Sequence, residues 1–155
     1  MSKYISNDNE YYTPKEFVAS FGHFDYDPAT TKEKADEFEI ENFDTIETDG
    51  LTSDWRKYKR IWINPPFTRK IEFLNKAIET FNEVHNDIFI LLPVEFLTTK
   101  KFNDAMIHNG GILFLPNGRI KFESGLGKKA SSPMFGTIVL KIGDAHSFYI
   151  YRILI

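Results

Sequence analysis

Two consecutive prolines interrupt an apolar run near the middle of the chain, and this feature most limits how the chain can fold. The apolar residues 61–63 are followed directly by Asn64-Pro65-Pro66-Phe67. Proline cannot donate a backbone hydrogen bond to a strand ladder, so a β-strand at 61–63 has to end at Asn64. Apolar residues then recur at helical spacing, which predicts an amphipathic helix over 69–83 directly after the strand.

The alternation of strands and helices continues toward the C-terminus. The all-apolar run 88–92 ends at Pro93, as expected for a strand covered on both faces of a sheet. A helix at 96–108, ended by Gly110-Gly111, and a strand at 112–115 follow. We therefore predict an α/β fold of the Rossmann-like type, a mostly parallel sheet with helices on both faces. Further strands without intervening helices, predicted at 119–122, 137–142 and 148–154, indicate an antiparallel C-terminal edge.

The N-terminal part has weaker but readable signals. Thr13-Pro14-Lys15-Glu16 predicts a helix start with Thr13 as the N-cap, and the helix should continue to about residue 21. A short strand at 24–27 ends at Pro28, and a helix is predicted over about 31–38. Asp49-Gly50 predicts a turn.

Composition sets limits on the class of protein. A chain of 155 residues fits one domain, with residues 1–10 expected to be flexible. The absence of cysteine excludes disulfides and favours a cytoplasmic protein, and no apolar run approaches the roughly 20 residues that cross a bilayer.

The net charge of −3 means that a nucleic-acid site has to be local. Acidic residues crowd 33–54, whereas the last quarter of the chain is richer in lysine and arginine. The polar segment 123–133 predicts a mobile loop over a ligand.

The Asn64 segment suits chemistry on a planar amine. Its amide oxygen and the carbonyl of Pro65 are two acceptors, and Phe67 adds an aromatic face. Two acceptors that converge on an NH2 group would draw its hydrogens out of conjugation and make the nitrogen a better nucleophile. The structural alternative is that Asn64 caps a helix that begins near Thr68.

The tetrapeptide resembles the Asp/Asn-Pro-Pro-Tyr/Phe signature of S-adenosylmethionine-dependent amino-methyltransferases. Five ordered segments resemble the phage-type DNA adenine methyltransferase family over nearly the whole chain. They are Tyr12-Thr13-Pro14, Phe24-Asp25-Tyr26-Asp27-Pro28-Ala29, Asp49-Gly50-Leu51 with Trp55, Trp62-Ile63-Asn64-Pro65-Pro66-Phe67, and Gly118-Arg119-Ile120-Lys121-Phe122. The resemblance implies methyl transfer from S-adenosylmethionine to the exocyclic amine of adenine in DNA, with Asn64, Pro65, Pro66 and Phe67 as the catalytic motif.

The resemblance also implies a cofactor site, and the four histidines show no ligand spacing that would indicate a metal. Residues at the methionine end of the cofactor would be Tyr12, Thr13, Asp27, Pro28 and Ala29, and Asp49 would face the adenosine. The structural alternatives are an Asx turn at Asp27 and an Asp-Gly turn at Asp49. Because the segment after Asp27 has no glycine, the ribose contact is unassigned. Glu37 and Glu39 are candidates for it, against a solvated acidic helix face.

DNA use implies that the target base is extruded from the duplex. Phe122 is a candidate second wall for that base, with core packing as its alternative. Positively charged side chains near strand ends or in the 123–133 loop could neutralise phosphates. These are Arg69, Lys70, Arg119, Lys121, Lys128 and Lys129, with Lys100 and Lys101 as weaker candidates. We expect either a loose sequence preference or help from a homo-oligomer or a recognition partner.

Two alternative functions use the same fold. The amine-polarising corner would also serve an amino-methyltransferase that acts on RNA guanine or on a protein glutamine. A cofactor-binding or nucleic-acid-binding protein without turnover is the alternative that the missing glycine turn favours.

Overall fold

A computed structural model describes residues 11–118, 123–124, 136–144 and 147–153. Short 3-10 helices cover Gly50–Thr52, Phe67–Arg69 and Val94–Thr98. The α-helices are α1 (Lys15–Ala19), α2 (Lys32–Glu37), α3 (Lys70–Val84) and α4 (Lys100–Ala105). The strands are β1 (Tyr11–Tyr12), β2 (Tyr26–Asp27), β3 (Asn42–Phe43), β4 (Arg60–Ile63), β5 (Asp87–Pro93), β6 (Gly110–Pro116), β7 (Glu123–Ser124), β8 (Thr137–Gly143) and β9 (Phe148–Ile153).

A seven-stranded mixed sheet forms the centre of the fold, in the order β3-β2-β4-β5-β8-β6-β9. Strand β8 runs antiparallel to both of its neighbours, and the other pairs are parallel. The predicted α/β class and mostly parallel sheet are therefore confirmed. The antiparallel strand, however, lies inside the sheet between β5 and β6, and the edge strand β9 is parallel to β6. Strand β8 carries apolar residues on both faces, which suits an inner strand, and these residues are buried. Tyr149, Ile150 and Tyr151 of the edge strand β9 are exposed.

Helices cover both faces of the sheet, as predicted. On one face α3 and α4 pack with Trp55 against Ile61, Ile63 and the even-numbered residues of β5. On the other face Phe17 and Val18 of α1 pack against Trp62, Phe89 and Leu91. In this sheet every strand except β8 points its carboxyl end toward one edge, where Asp27 and Asn64 lie at or just beyond β2 and β4. Across the described part of the chain, no helix has the length and apolar character needed to cross a membrane.

Two helix predictions are wrong in detail. Helix α1 begins at Lys15 with Pro14 at the N-cap position and no side-chain cap, so Thr13 does not cap it. The helix predicted over 96–108 is divided at Thr99, which is extended and whose hydroxyl accepts from the Phe102 amide and donates to the Phe96 carbonyl. These local bonds compete with a continuous helix.

Two C-terminal predictions also differ from the structure or fall outside it. Gly110-Gly111 opens strand β6 rather than ending a helix. The loop predicted at 123–133 starts with β7, which pairs with β1 in antiparallel fashion. The strand predicted at 119–122 lies outside the described residues.

Candidate active site

Asn64 follows β4 at the carboxyl edge of the sheet. Its side-chain amide donates from Nδ2 to the hydroxyl of Thr13 at 3.0 Å, across 51 residues of chain. The N-cap positions of the next two helical segments are occupied by Pro66 and Arg69 instead. Asn64 therefore makes a tertiary contact and does not serve as the helix cap that the structural alternative assumed.

The residues after Asn64 form a tightly held turn. Pro65 is buried, and the carbonyl of Pro66 accepts a hydrogen bond from the Arg69 amide at 3.0 Å. The ammonium of Lys70 donates to the carbonyl of Phe67 at 3.0 Å and lies 5.2 Å from the centre of the Phe96 ring. These contacts, with two proline rings, restrict the position of the partly exposed Phe67 ring.

Asp27 ends β2, which pairs with β4 in parallel. The side chain is 2% exposed, and its Oδ1 accepts from the Ala29 amide at 2.9 Å, so the Asx turn of the structural alternative is present. Burial raises the pKa of Asp27 to about 7, and the bond from the Ala29 amide opposes that shift. A buried carboxyl group of this kind gains most when a cationic partner replaces the water it has lost.

Thr13, Asp27 and Asn64 line one small cleft between the ends of β2 and β4. Its remaining lining residues are Ala29, Thr30, Lys34, Phe38 and Trp62. Thr13 is also 2% exposed, so two polar side chains meet here in nearly complete burial. Three residues from separate predicted motifs thus come together, although they are distant in sequence.

The Asp49-Gly50 turn packs directly on the Asp27-Pro28 turn. Asp49 has a φ of 53°, and its carboxylate accepts from the Leu51 amide at 3.2 Å. A Cβ at Gly50 would lie 2.0 Å from the Pro28 carbonyl oxygen. The glycine that is missing after Asp27 is thus provided by the neighbouring loop, and it lets two predicted cofactor segments approach closely.

Asp44 is a strand-end carboxylate that the sequence reasoning missed. It follows β3, its amide donates to the Asp27 carbonyl at 2.9 Å, and its Oδ2 accepts from the hydroxyls of Tyr26 and Ser53. Burial, followed by the bond to Asp44, raises the pKa of Tyr26. Strand β3 is too short to show a periodicity in the sequence. The one signal that could have pointed to Asp44 is its acidic side chain shortly before the Asp49-Gly50 turn.

The two ribose candidates named from the sequence do not themselves line the cleft between β2 and β4, although Lys34, the partner of Glu37, does. Glu37 accepts from the ammonium of Lys34 at 3.2 Å. Glu39 is exposed and has a φ of 58°, and its carbonyl contacts His23.

Arg69 connects two predicted functions. Its guanidinium lies 3.6 Å from the carboxylate of Asp49 and also pairs with Glu72. A predicted DNA contact and a predicted cofactor contact are therefore neighbours. The weaker candidate Lys100 is exposed and pairs with Asp104. The other predicted DNA contacts, Arg119, Lys121, Phe122, Lys128 and Lys129, lie outside the described residues, as does the side chain of Tyr12.

Comparisons with known proteins agree on one family. A family model described as DNA N-6-adenine-methyltransferase (Dam) matches residues 6–146. A DNA N-6-adenine-methyltransferase of Escherichia phage T1 is 31% identical over 146 residues, which cover 82% of this chain and 59% of the relative. One of Haemophilus phage HP1 is 31% identical over 83 residues, 54% of this chain and 47% of the relative. The chain thus spans about half to three-fifths of the length of these curated relatives.

A solved structure from Thermoplasma acidophilum, provisionally described as a methyltransferase, is also similar. The match has a TM-score of 0.41 at 13% identity and covers 84% of this chain and 72% of that one.

Proposed function

Because the chain belongs to the DNA N-6-adenine-methyltransferase (Dam) family, we propose that it methylates the exocyclic amine of adenine in DNA with S-adenosylmethionine as donor. The observation that carries this proposal is the meeting of Asn64 and Asp27 in one cleft, at the ends of neighbouring parallel strands. Open α/β sheets bind their ligands at this edge. Asn64 can polarise the amine of the acceptor, and Asp27 can bind the positively charged end of the donor.

Asn64 acts on the acceptor. Its amide oxygen and the Pro65 carbonyl accept hydrogen bonds from the adenine amine, so the nitrogen lone pair leaves the ring system and becomes nucleophilic. Phe67 stacks on the extruded base, and stacking on an aromatic side chain contributes about 1–3 kcal/mol per base. Neither acceptor is basic, so both orient the amine and the leaving proton passes to solvent. Catalysis then rests on positioning.

Asp27 and its neighbours fit the donor. When bound, S-adenosylmethionine supplies an electrophilic methyl group on its sulfonium. The buried Asp27 carboxylate would hold the α-ammonium of the methionine end, beside Thr13, Pro28 and Ala29. Binding of a cation keeps the carboxylate ionised, which offsets the burial that raises its pKa.

The adenosine end would lie along the adjoining turn. Asp49 is proposed to face the adenine of the cofactor, because Gly50 brings this turn against Pro28. For the ribose we propose Asp44 in place of Glu37 or Glu39. Asp44 follows the strand next to β2, and its amide donates to the Asp27 carbonyl, so it lies directly beside the methionine end of the proposed site.

DNA would approach from the side of Phe67, with Arg69 and Lys70 directly after the motif at the start of α3. Extrusion of a base costs a few kcal/mol, which stacking and the amine contacts offset. Arg119, Lys121, Phe122, Lys128 and Lys129 remain proposed contacts, and a second copy or a partner is proposed to add sequence preference.

Transfer of a labelled methyl group tests the proposal. Purified protein is incubated with labelled S-adenosylmethionine and, in parallel, with unmethylated DNA, RNA and unrelated protein. We expect label in DNA alone. Label in RNA or protein would keep the mechanism and replace the acceptor, whereas cofactor binding without any transfer would make the chain a binding protein.

A further inference from the structure

The cleft between the ends of β2 and β4 holds one acidic and one basic side chain. Among the described residues that line it, Asp27 is the one acid and Lys34, on α2, is the one base. We propose that Lys34 binds the α-carboxylate of S-adenosylmethionine, while Asp27 binds the α-ammonium, so that the methionine end is recognised by both of its charges. The inference rests on the proposed function and adds to it the residue that binds the negative charge of the donor.

Helix α2 turns Lys34 inward, whereas another lysine of the same helix faces solvent. Both lysines form an ion pair within the helix, Lys32 with Asp36 at 2.9 Å and Lys34 with Glu37 at 3.2 Å. The side chain of Lys32 is 71% exposed, but that of Lys34 is only 12% exposed. The lysine that lines the cleft is therefore also the one removed from water, and a charge removed from water gains most from an oppositely charged ligand.

The backbone of Lys34 is tied to the turn that carries Asp27. Helix α2 starts shortly after the Asx turn at Asp27, and the Thr31 hydroxyl caps it by accepting from the Lys34 amide at 3.2 Å. Ala35, the next residue, is fully buried, which fixes the rotation of the helix about its axis. One short segment with its own hydrogen bonds thus carries both charges of the cleft.

The two charges do not neutralise each other. In the described part of the chain Lys34 pairs with Glu37 and not with Asp27, whose Oδ1 accepts from the Ala29 amide. An ammonium group has three hydrogens, so Lys34 can bind Glu37 and a ligand carboxylate at the same time. A bound methionine end would bring a positive charge to Asp27 and a negative charge to Lys34. Hydrogen bonds between such ionised groups are roughly twice as strong as those between neutral groups.

Two ligands that differ only in the carboxylate test the assignment. Decarboxylated S-adenosylmethionine keeps the adenosine, the sulfonium and the amine. Calorimetric titration of the full chain at about pH 7.5 gives the Kd for each ligand. In the parent protein, the decarboxylated ligand should bind about 10- to 100-fold more weakly, the usual effect of losing a hydrogen bond between charged groups. Equal affinity of the parent for the two ligands would overturn the inference.

Two variants should affect the two ligands in a crossed pattern. Lys34→Gln should raise the Kd for S-adenosylmethionine by about 10- to 100-fold and change that for the decarboxylated ligand less than about threefold. Asp27→Asn should weaken both ligands, because both keep the amine. Lys32→Gln, on the exposed side of α2, is the matched control and should leave both Kd values within about twofold of the parent values. If Lys34→Gln weakened both ligands equally, Lys34 would act on the shape of the cleft and the inference would be wrong.

Glu37→Gln separates carboxylate binding from the ion pair within α2. This variant loses the pair but keeps the Lys34 ammonium, so its Kd for S-adenosylmethionine should stay within about threefold of the parent value. A loss as large as that of Lys34→Gln would assign the effect to the ion pair and overturn the inference. Binding is measured without turnover, so the two proposals can fail separately. A parent that shows the crossed pattern but methylates no DNA would contradict the proposed function, while the assignment of Lys34 stands.

Discussion

The backbone of Pro28 occupies the space next to Gly50 so closely that position 50 has no room for a side chain. A Cβ there would lie 2.0 Å from the Pro28 carbonyl oxygen and 2.7 Å from the Pro28 Cβ. Both neighbours belong to a turn that is held by the Asp27 Asx bond, so relief requires one turn to move. This contact joins the two halves of the proposed cofactor site.

Gly50→Ala should therefore separate the two turns. We expect the free energy of unfolding to fall by about 1–3 kcal/mol, the usual range for overpacking, and the affinity for S-adenosylmethionine to fall with it. Urea denaturation and calorimetric titration measure these quantities. Gly118→Ala is the matched control, because a Cβ at Gly118 meets no atom of the described residues within 4 Å. Equal behaviour of the two variants would show that the Gly50 contact is not needed.

The pH dependence of stability should report the burial of Asp27. Its pKa is raised from 3.8 to about 7, so the folded state binds the proton more tightly than the unfolded state. The contribution of this proton to the free energy of unfolding is fully present below about pH 4 and is lost as the pH rises through 7. The loss has an upper bound of about 4 kcal/mol.

Asp27→Asn should remove this dependence. We expect urea denaturation at pH 8 to show a gain of about 1–3 kcal/mol, with a flatter profile between pH 4 and pH 7. Asp36→Asn, which changes an exposed carboxylate paired with Lys32, serves as the control and should keep the parent profile. If the free energy of unfolding of Asp27→Asn depended on pH as steeply as that of the parent, Asp27 would not be the group that causes the dependence.

Cofactor affinity should depend on pH in the opposite direction. An ammonium group binds the ionised carboxylate, so the Kd for S-adenosylmethionine should rise about tenfold per unit as the pH falls below 7. Above about pH 8 the Kd should rise again, because the α-ammonium of the cofactor loses its own proton in that range. Calorimetric titration from pH 5.5 to 8.5 measures the curve, and Asp27→Asn should bind weakly at every pH. A Kd that is independent of pH in the parent would remove Asp27 from the ammonium site.

Arg69 should contribute to DNA binding through its charge. Arg69→Gln should reduce the slope of log Kobs against log salt concentration by about 1, because one phosphate contact is lost. Fluorescence anisotropy over a range of salt concentrations gives the slope. Arg56→Gln is the control, since Arg56 is exposed and pairs with Glu83 at the other end of α3. If both variants keep the parent slope, Arg69 has a structural role, as in its ion pairs with Asp49 and Glu72, and does not contact a phosphate.

Strong local patterns made the centre of the fold predictable. The run ending at Asn64-Pro65-Pro66 predicted β4, and the helical spacing after it predicted α3 to within one residue at each end. Both signals are local, because proline chemistry and amphipathic periodicity do not depend on distant parts of the chain.

Features set by tertiary contacts could not be read in this way. The residues after Thr13 predicted that it caps a helix, yet its hydroxyl accepts a hydrogen bond from Asn64, which is 51 residues away in the sequence. The inner position of β8 depends on how strands distant in sequence pair with one another. The division of the helix at Thr99 is local in origin, but the hydrogen bonds of the Thr99 hydroxyl that cause it leave no mark in the apolar periodicity. The five site residues between 119 and 129 stay predictions.

Nucleoside analysis of DNA treated with three proteins tests the central claim most directly. The parent protein, Asn64→Ala and Asn75→Ala are each incubated with unmethylated DNA and S-adenosylmethionine, and the DNA is digested and analysed by mass spectrometry. Asn75 is the matched control, an exposed asparagine on α3. The account predicts N6-methyladenine with the parent and Asn75→Ala, and at least about 10²-fold less with Asn64→Ala at an unchanged cofactor Kd. Equal N6-methyladenine formation by Asn64→Ala, or methylation of a different base, would contradict it.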